Sequence, residues 1–404
     1  MKYPAGMSRR AVTGALALSI LVGTAIPLTQ AQTYRESVLY SFKGGADGVQ
    51  PMAGLVIDSK GNLYGTTLVG GASDFGTVFE VSSVGKEIIL HSFAGPDGAE
   101  PFYGGLIRDS AGNLYGTTWG GGAFGGGTAF EVDTSGNEDV LYNFNEGALP
   151  IGGLVRDSKG NFYGTTSGGG TTAGTVFELT PNSVGGWMET ILYSFSGGKD
   201  GGDPFGGLVR DRKGNFYGTT SLGGFAKHGT VFKVNGAKES VLHTFKHGEG
   251  DGRYPMATLL LDASGNLYGT TENGGVSNWG TVFKMDASGH ETVLHSFTGG
   301  TDGRYPVGSL VSDADGNLYG TTTEGGTGCA NHGCGTVFKL DTTNNETVLY
   351  RFTGKDGRYP FAGLAIDRAG NIYGTTSQGG SGSKKNCFTH GPEGCGTVFK
   401  LTLQ

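Results

Sequence analysis

The sequence predicts an all-β fold, a seven-bladed β-propeller with four antiparallel strands per blade. Three observations carry that prediction. The string Asp-x-x-Gly-Asn-(Leu/Phe/Ile)-Tyr-Gly-Thr-Thr occurs seven times, at Asp58–Thr67, Asp109–Thr118, Asp157–Thr166, Asp211–Thr220, Asp262–Thr271, Asp313–Thr322 and Asp367–Thr376. Each copy sits in a unit of about 50 residues that holds four strand-like strings, the mark of supersecondary units burying their faces against neighbours. One of the four strings also stands alone near the front of the chain and is missing from the last unit.

The first string, strand A, is a short apolar run ending in Asp, as in Gly54–Asp58, Gly105–Asp109 and Gly207–Asp211. Strand B is the Asn-Leu-Tyr-Gly-Thr-Thr half of the motif. The A–B link, Asp-x-x-Gly-Asn, is a tight hairpin: Asp accepts from backbone two residues on, and Gly and Asn tolerate positive φ. Strand C is Gly-Thr-Val-Phe, at Gly76–Phe79, Gly174–Phe177, Gly229–Phe232, Gly280–Phe283, Gly335–Phe338 and Gly396–Phe399, with Gly127–Phe130 as a variant. Strand D is Val/Ile-Leu-(His/Tyr)-x-Phe, from Ile89–Phe93 to Val348–Phe352. All are rich in β-branched and aromatic residues and bounded by Gly, Asn, Asp and Pro. No long window beyond the first 31 residues holds a helical period. Eighty glycines argue the same way, because Gly is costly inside helices. The solitary D string is Val38–Phe42, and the last unit stops after its C strand at Gln404. Pairing Val38–Phe42 beside Gly396–Leu401 would close a ring and leave no frayed blade.

Residues 1–31 read as a signal peptide. Arg9 and Arg10 precede the uncharged apolar stretch Ala11–Pro27, and Thr29-Gln-Ala31 offers small residues for cleavage. The stretch is short for a membrane anchor, and no later span follows. Ser8-Arg9-Arg10 also fits a twin-arginine route, and Met7 is an alternative start. Residues 32–404 then form one propeller domain, exported to the periplasm or beyond and expected to be monomeric. Losing Lys2, Arg9 and Arg10 takes the formal net charge from −7 to −10. An acidic chain without a basic cluster is a poor partner for nucleic acid or anionic lipid.

The four cysteines fall in two equivalent B–C loops: Cys329 and Cys334 in blade 6, Cys387 and Cys395 in blade 7. In an exported chain two local disulfides are expected. The rival is a zinc site completed by His332 and His390. With the units written out, the Gly-Asn-Leu-Tyr-Gly-Thr-Thr…Gly-Thr-Val-Phe repeat resembles the GloVer family of bacterial exported tandem-repeat proteins, over essentially all of residues 32–404. The hairpin is also similar to that of NHL-type propellers. The resemblance implies export and brings no catalytic residues to carry over. Some family members have a C-terminal sorting segment. This chain ends Leu401-Thr-Leu-Gln404 without an apolar tail, so a periplasmic or released protein is expected.

In a propeller the D–A and B–C links share one face and the A–B and C–D turns the other. The A–B turns are nearly identical, whereas the B–C loops differ in length and content, which points to the loop face as the ligand face. The D–A links repeat Asp-Gly-x-x-Pro, and the last three read Asp-Gly-Arg-Tyr-Pro. They supply Arg253 with Tyr254, Arg304 with Tyr305, and Arg358 with Tyr359, entering blades 5, 6 and 7. Such an arc suits a carboxylated or sulfated glycan, Arg forking onto the anion and Tyr giving a ring face and a hydroxyl. The structural alternative pairs each Arg with the neighbouring Asp and wedges Tyr between blades. Trp119 and Trp279 flank B–C loops and suit sugar stacking. The repeated Tyr and Thr-Thr of strand B read as packing and blade-to-blade hydrogen bonds. His91, His243 and His295 alternate with Tyr at one strand-D position, so none reads as a catalytic base. Asp313-x-Asp315-Gly-Asn317 resembles part of a calcium loop but lacks the later Glu, and reads as a hairpin turn.

No cofactor motif is present and no metal site is expected. The sequence thus points to an exported, non-catalytic propeller that binds a glycan or protein ligand through its loop face. The alternative is a polysaccharide-active lyase or hydrolase on the same scaffold. That would need one asymmetric constellation of acids and bases. Arg304 and Arg358 with His332 or His390 is the nearest sketch of one.

Overall fold

The computed structural model describes residues 33–404 except 171, 172, 247, 249, 330, 331, 383–386 and 388–393. Residues 1–31, read above as the signal peptide, lie outside the described residues, as does His390. Among the described residues no helix is long and apolar enough to cross a membrane.

Seven four-stranded antiparallel sheets follow one another along Thr33–Gln404, each in the order A-B-C-D. Blade 1 is Val56–Ile57, Leu63–Thr67, Thr77–Val81 and Glu87–Ser92. Blade 7 takes its strands from both chain ends: Ala365–Ile366, Ile372–Thr376 and Thr397–Leu403, then Tyr34–Ser41 as its outer edge. Tyr34 pairs with Leu403 and Ser41 with Thr397, and Phe42 N–H adds a bond to Gly396 O at 3.0 Å. The expected closure is therefore present. The A strands are shorter than their sequence strings suggest, with two ladder residues each. Their glycines lie where successive A segments crowd round the axis. A Cβ on Gly153 or Gly207 would sit 3.0 Å from a carbonyl of the preceding blade.

The core is an aromatic belt between blades. Each strand-C phenylalanine is fully buried and packs edge-on against the phenylalanine that ends the D strand of the blade before. The seven pairs run from Phe42–Phe79 to Phe352–Phe399, with ring centroids 5.0–5.3 Å apart. Strand B must be Gly opposite that ring, because a Cβ on Gly218 would lie 2.6 Å from Phe232 Cζ. Blade-to-blade hydrogen bonds were expected of both strand-B threonines, but the two divide their work. The first reaches the next blade in six of the seven blades, as in Thr165 Oγ1 to Gly206 O at 3.0 Å, while Thr66 Oγ1 has no such bond. The second bonds the strand-C threonine of its own blade, as in Thr166 with Thr175 at 2.8 Å.

The A–B hairpins differ from expectation in one detail. The glycine takes positive φ, 82° at Gly61, but the asparagine does not. Asn62 is instead chosen for its side chain, whose Nδ2 donates to Asp58 Oδ2 at 3.2 Å while Asp58 Oδ1 accepts from the Lys60 and Asn62 N–H groups. Asp315 sits in the same kind of turn, its N–H donating to Asp313 Oδ1, so the calcium-like string is a hairpin.

Candidate functional site

The loop face is built on a staple that occurs in all seven blades. In each D–A link the residue before the proline is left-handed, with φ of 56–58° at Gln50, Glu100, Leu149, Asp203, Tyr254, Tyr305 and Tyr359. Seven such non-glycine residues would be costly without compensation. Two backbone hydrogen bonds hold each one. Tyr305 N–H donates to Trp279 O of the preceding blade at 3.0 Å, and Tyr305 O accepts from Thr323 N–H of its own blade at 3.1 Å. Further bridging within a blade joins link to loop, as between Arg304 and Glu324. The D–A links and B–C loops therefore share one face.

The Arg–Tyr arc stands on these staples, and its three members differ. Arg304 is largely enclosed, its side chain 12% exposed. Its guanidinium stacks 4.7 Å over Trp279 and 5.5 Å over Tyr305, and it is ion-paired to Glu324 at 2.7 Å and bonded to His332. Trp279 and Tyr305 meet edge-on at 5.4 Å. Arg358 lies 4.4 Å over Tyr359 and donates to its hydroxyl at 2.6 Å. Arg253 bonds Asn278, while Tyr254 packs edge-on against His228. The structural alternative anticipated Arg paired with the link Asp. For Arg304 the carboxylate is Glu324 instead, twenty residues on, because the link pairs with the B–C loop of its own blade.

At the axis, sequence reasoning missed the residues that matter. The position after each link proline is a large apolar residue: Met52, Phe102, Ile151, Phe205, Met256, Val307 and Phe361. The next position is Gly or Ala in six links and Tyr103 in one. Tyr103 crosses the channel mouth to pack against Phe205 of the blade 4 link at 5.4 Å and Phe361 of the blade 7 link at 6.2 Å. Phe102 joins it to Trp119, and Phe361 joins it to Tyr359. A continuous aromatic strip thus runs from Trp119 through the axis to the Arg358–Tyr359 pair. Below it lies a cavity of about 250 Å³ lined by all seven blades. The one signal in the sequence was the single break in a Gly/Ala column.

Carboxyls rim this strip. Burial raises Glu272, against an opposing side-chain bond from Asn273, and burial raises Glu100. Burial likewise raises Asp203, although Ser221 donates to it at 3.0 Å. Tyr103 is pushed up to about 12 by burial and by the Glu272 charge. Aromatic exposure is concentrated on the same face. Phe75, Trp119, Phe124 and Phe225 are the exposed aromatic residues of hydrophobic type among those described, and all four lie in B–C loops. Phe225 is 80% exposed, a rare state for a phenylalanine.

Both expected disulfides are present, Cys329–Cys334 and Cys387–Cys395, so the zinc alternative loses its thiolates. The opposite face has grooves between successive A–B turns. One of about 640 Å³ lies between blades 4 and 5 and includes Arg210, Asp211 and Asp262. Equivalent wedges recur at blades 2–3 and 7–1, which marks them as a product of the repeat.

Fold and face together define a seven-bladed propeller closed by its N-terminal strand, with an aromatic loop face and two loop disulfides. The chain belongs to the Gloeobacter/Verrucomicrobia repeat family, whose model matches residues 21–197 and 172–388. No curated protein matches it. Among solved structures it is similar to the extracellular domain of a hybrid two component system from B. thetaiotaomicron (TM-score 0.55, 11% identity, 91% of this chain and 39% of that one). It is also similar to a gluconolactonase from Xanthomonas campestris (TM-score 0.44, 14% identity, 92% of this chain and 90% of that one). The chain spans about two fifths of the length of the first of these. At 11% identity the likeness to the first shows the fold alone.

Proposed function

We propose that this protein is an exported, non-catalytic propeller that binds an extracellular glycan, or a protein displaying comparable groups, on its loop face. One observation carries the reading: the exposed aromatic side chains gather on that face, beside an aromatic strip that crosses the channel mouth. Flat rings held by stapled backbone suit sugar faces, and the stacked Arg–Tyr and Arg–Trp pairs add donors for carboxylate or sulfate. Two disulfides tie down loops of the same face, in keeping with an oxidising compartment. The test is a screen of the purified chain on arrays of neutral, uronic and sulfated glycans. Wild type should be retained on at least one class. Trp119→Ala with Phe124→Ala, and Arg304→Ala with Arg358→Ala, should each lower that retention tenfold or more. Retention unchanged in both double variants would remove the loop face as the site.

The raised carboxyls Glu100, Asp203 and Glu272 favour one second reading, a polysaccharide-active enzyme using a protonated carboxyl as general acid. It requires that the chain release reducing or unsaturated ends from some polysaccharide, and that Glu272→Gln abolish the release. A clean negative across a broad panel rejects it.

A further inference from the structure

Between neighbouring blades, where the D strands run into the D–A links, a second arrangement recurs. The His/Tyr position of the D strand meets the link aspartate entering the next blade and the glutamate that opens or lies near the start of that blade's D strand, except at Tyr142, whose link carries no aspartate. Where the residue is Tyr, its hydroxyl bonds an acid of the contact, although Glu36, Glu87 and Glu239 Oε1 there lack a hydrogen-bond partner as well. Tyr193 donates to Asp200 at 3.0 Å, Tyr40 to Asp47 and Tyr350 to Asp356 at 2.5 Å each, and Tyr142 to Glu189 at 3.1 Å. Where it is His, the ring stands at a varying distance from the aspartate, 3.0 Å at His91–Asp97 and 3.6 Å at His243–Asp251. Between blades 4 and 5, one atom each of His243, Asp251 and Glu291 lies within 4.8 Å of the other two. His243 Nε2, Asp251 Oδ1 and Glu291 Oε1 are all shielded from solvent, and none has a hydrogen-bond partner. His91, Asp97 and Glu138 make the same grouping between blades 1 and 2, where His91 Nε2 is 3.0 Å from Asp97 Oδ2 and Glu138 Oε1 is again orphaned.

The geometry points to two divalent-cation sites of the zinc class, one on His243, Asp251 and Glu291 and one on His91, Asp97 and Glu138, each clamping two blades together. Three orphaned polar atoms converging in a shielded space need a common partner. A single proton bridges two of them and leaves the third. Two carboxylates and one neutral imidazole offset the charge of a divalent ion and form a nitrogen–oxygen set that zinc accepts, with a fourth position left to water. The ligands are also held from behind. Asp251 Oδ2 accepts from Lys246 N–H at 2.8 Å, which turns Oδ1 inward, and the His243 ring is fixed edge-on against Phe245 at 4.7 Å. The third histidine is a poorer match, since His295 Nε2 stands 3.9 Å from Asp302 and no third ligand closes within the same limit.

The molecule supplies its own control, because tyrosine already fills the histidine position at four interfaces. His243→Tyr should therefore fold. The full disulfide-bonded chain, stripped with EDTA, is dialysed against micromolar Zn²⁺ and its bound metal counted by atomic emission. Wild type should hold two equivalents, His243→Tyr one, and His91→Tyr/His243→Tyr none. Glu291→Gln, which keeps shape, should also lose one. Zn²⁺ should raise the melting temperature of wild type and leave that of the double variant unmoved. Less than one equivalent in wild type, or equal binding by wild type and the double variant, overturns the proposal.

Discussion

The two ends of the blades obey different rules. On the turn face the same hairpin is written seven times, down to the hydrogen bonds: the aspartates from Asp58 to Asp367 accept from the N–H groups two and four residues on, and the strand-B tyrosine hydroxyl reaches Oδ2. On the loop face only the backbone staple is copied, and the side chains above it vary from Leu149 to Asp203 to Tyr305. The difference teaches where the ring is held and where it is at liberty to change. Substitution on the turn face strikes a bond that every blade uses. Substitution on the loop face alters what the surface presents and leaves the ladders intact.

The comparison breaks first if closure is not the main source of integrity. Phe42 is fully buried on the N-terminal strand and packs against Phe79 of blade 1. Phe42→Ala should cost about 3–5 kcal/mol in denaturant unfolding, the usual loss for a buried phenylalanine. A loss under about 1 kcal/mol would mean that the front strand does not latch the ring. Next comes the turn face. Asp109→Ala orphans the N–H groups of Ala111 and Asn113, leaves Gly112 N–H only the Asp109 carbonyl and the Tyr115 hydroxyl only Glu131, and should cost about 1–3 kcal/mol without touching ligand retention.

The pH profile sharpens the contrast, since turn aspartates and blade-edge glutamates titrate in opposite senses. Burial pushes Asp109 and Asp211 up, but hydrogen bonds from their turns outweigh it and hold both below the ordinary range. Their stabilising effect is present above the unfolded value near 3.8 and is lost as pH falls. Glu36, Glu87 and Glu239, beside the Tyr–Asp contacts, are pushed to about 7, first by burial and then by the neighbouring aspartate. The folded chain therefore keeps protons that the unfolded chain releases near 4.5, so stability falls as pH rises from there to about 7. Melting temperature should peak between about pH 4 and 5 and decline toward neutrality, and Glu87→Gln should flatten that decline. A curve level from pH 5 to 8 would show these glutamates to be better solvated than the fold implies. The smallest effect on stability belongs to the loop face, where Phe225→Ala should shift unfolding by about 0.5 kcal/mol or less.

Much of this architecture was legible in the sequence. The period gave the blade count, and the displaced Val38–Phe42 string gave the closure, because strand strings are local and their order is conserved by the repeat itself. Cys329–Cys334 and Cys387–Cys395 were legible for the same reason. The partner of Arg304 was not, since Glu324 comes from a neighbouring loop brought in by bridging between link and loop. Nor was the aromatic strip, because Phe102, Tyr103, Phe205 and Phe361 meet across the axis from links that are remote in sequence. The left-handed staple was hidden as well. Tyr305 and Tyr359 precede proline, where an extended backbone is the ordinary expectation, and only the bonds to two blades reveal why they depart from it.

The division between a face that holds and a face that binds is tested most directly by paired variants on one immobilised ligand. Retention on the glycan class that captures wild type should fall tenfold or more for Trp119→Ala/Phe124→Ala with melting nearly unmoved. For Asp109→Ala retention should persist while melting drops. Lost retention in the turn variant, with full retention in the loop variant, would contradict the account.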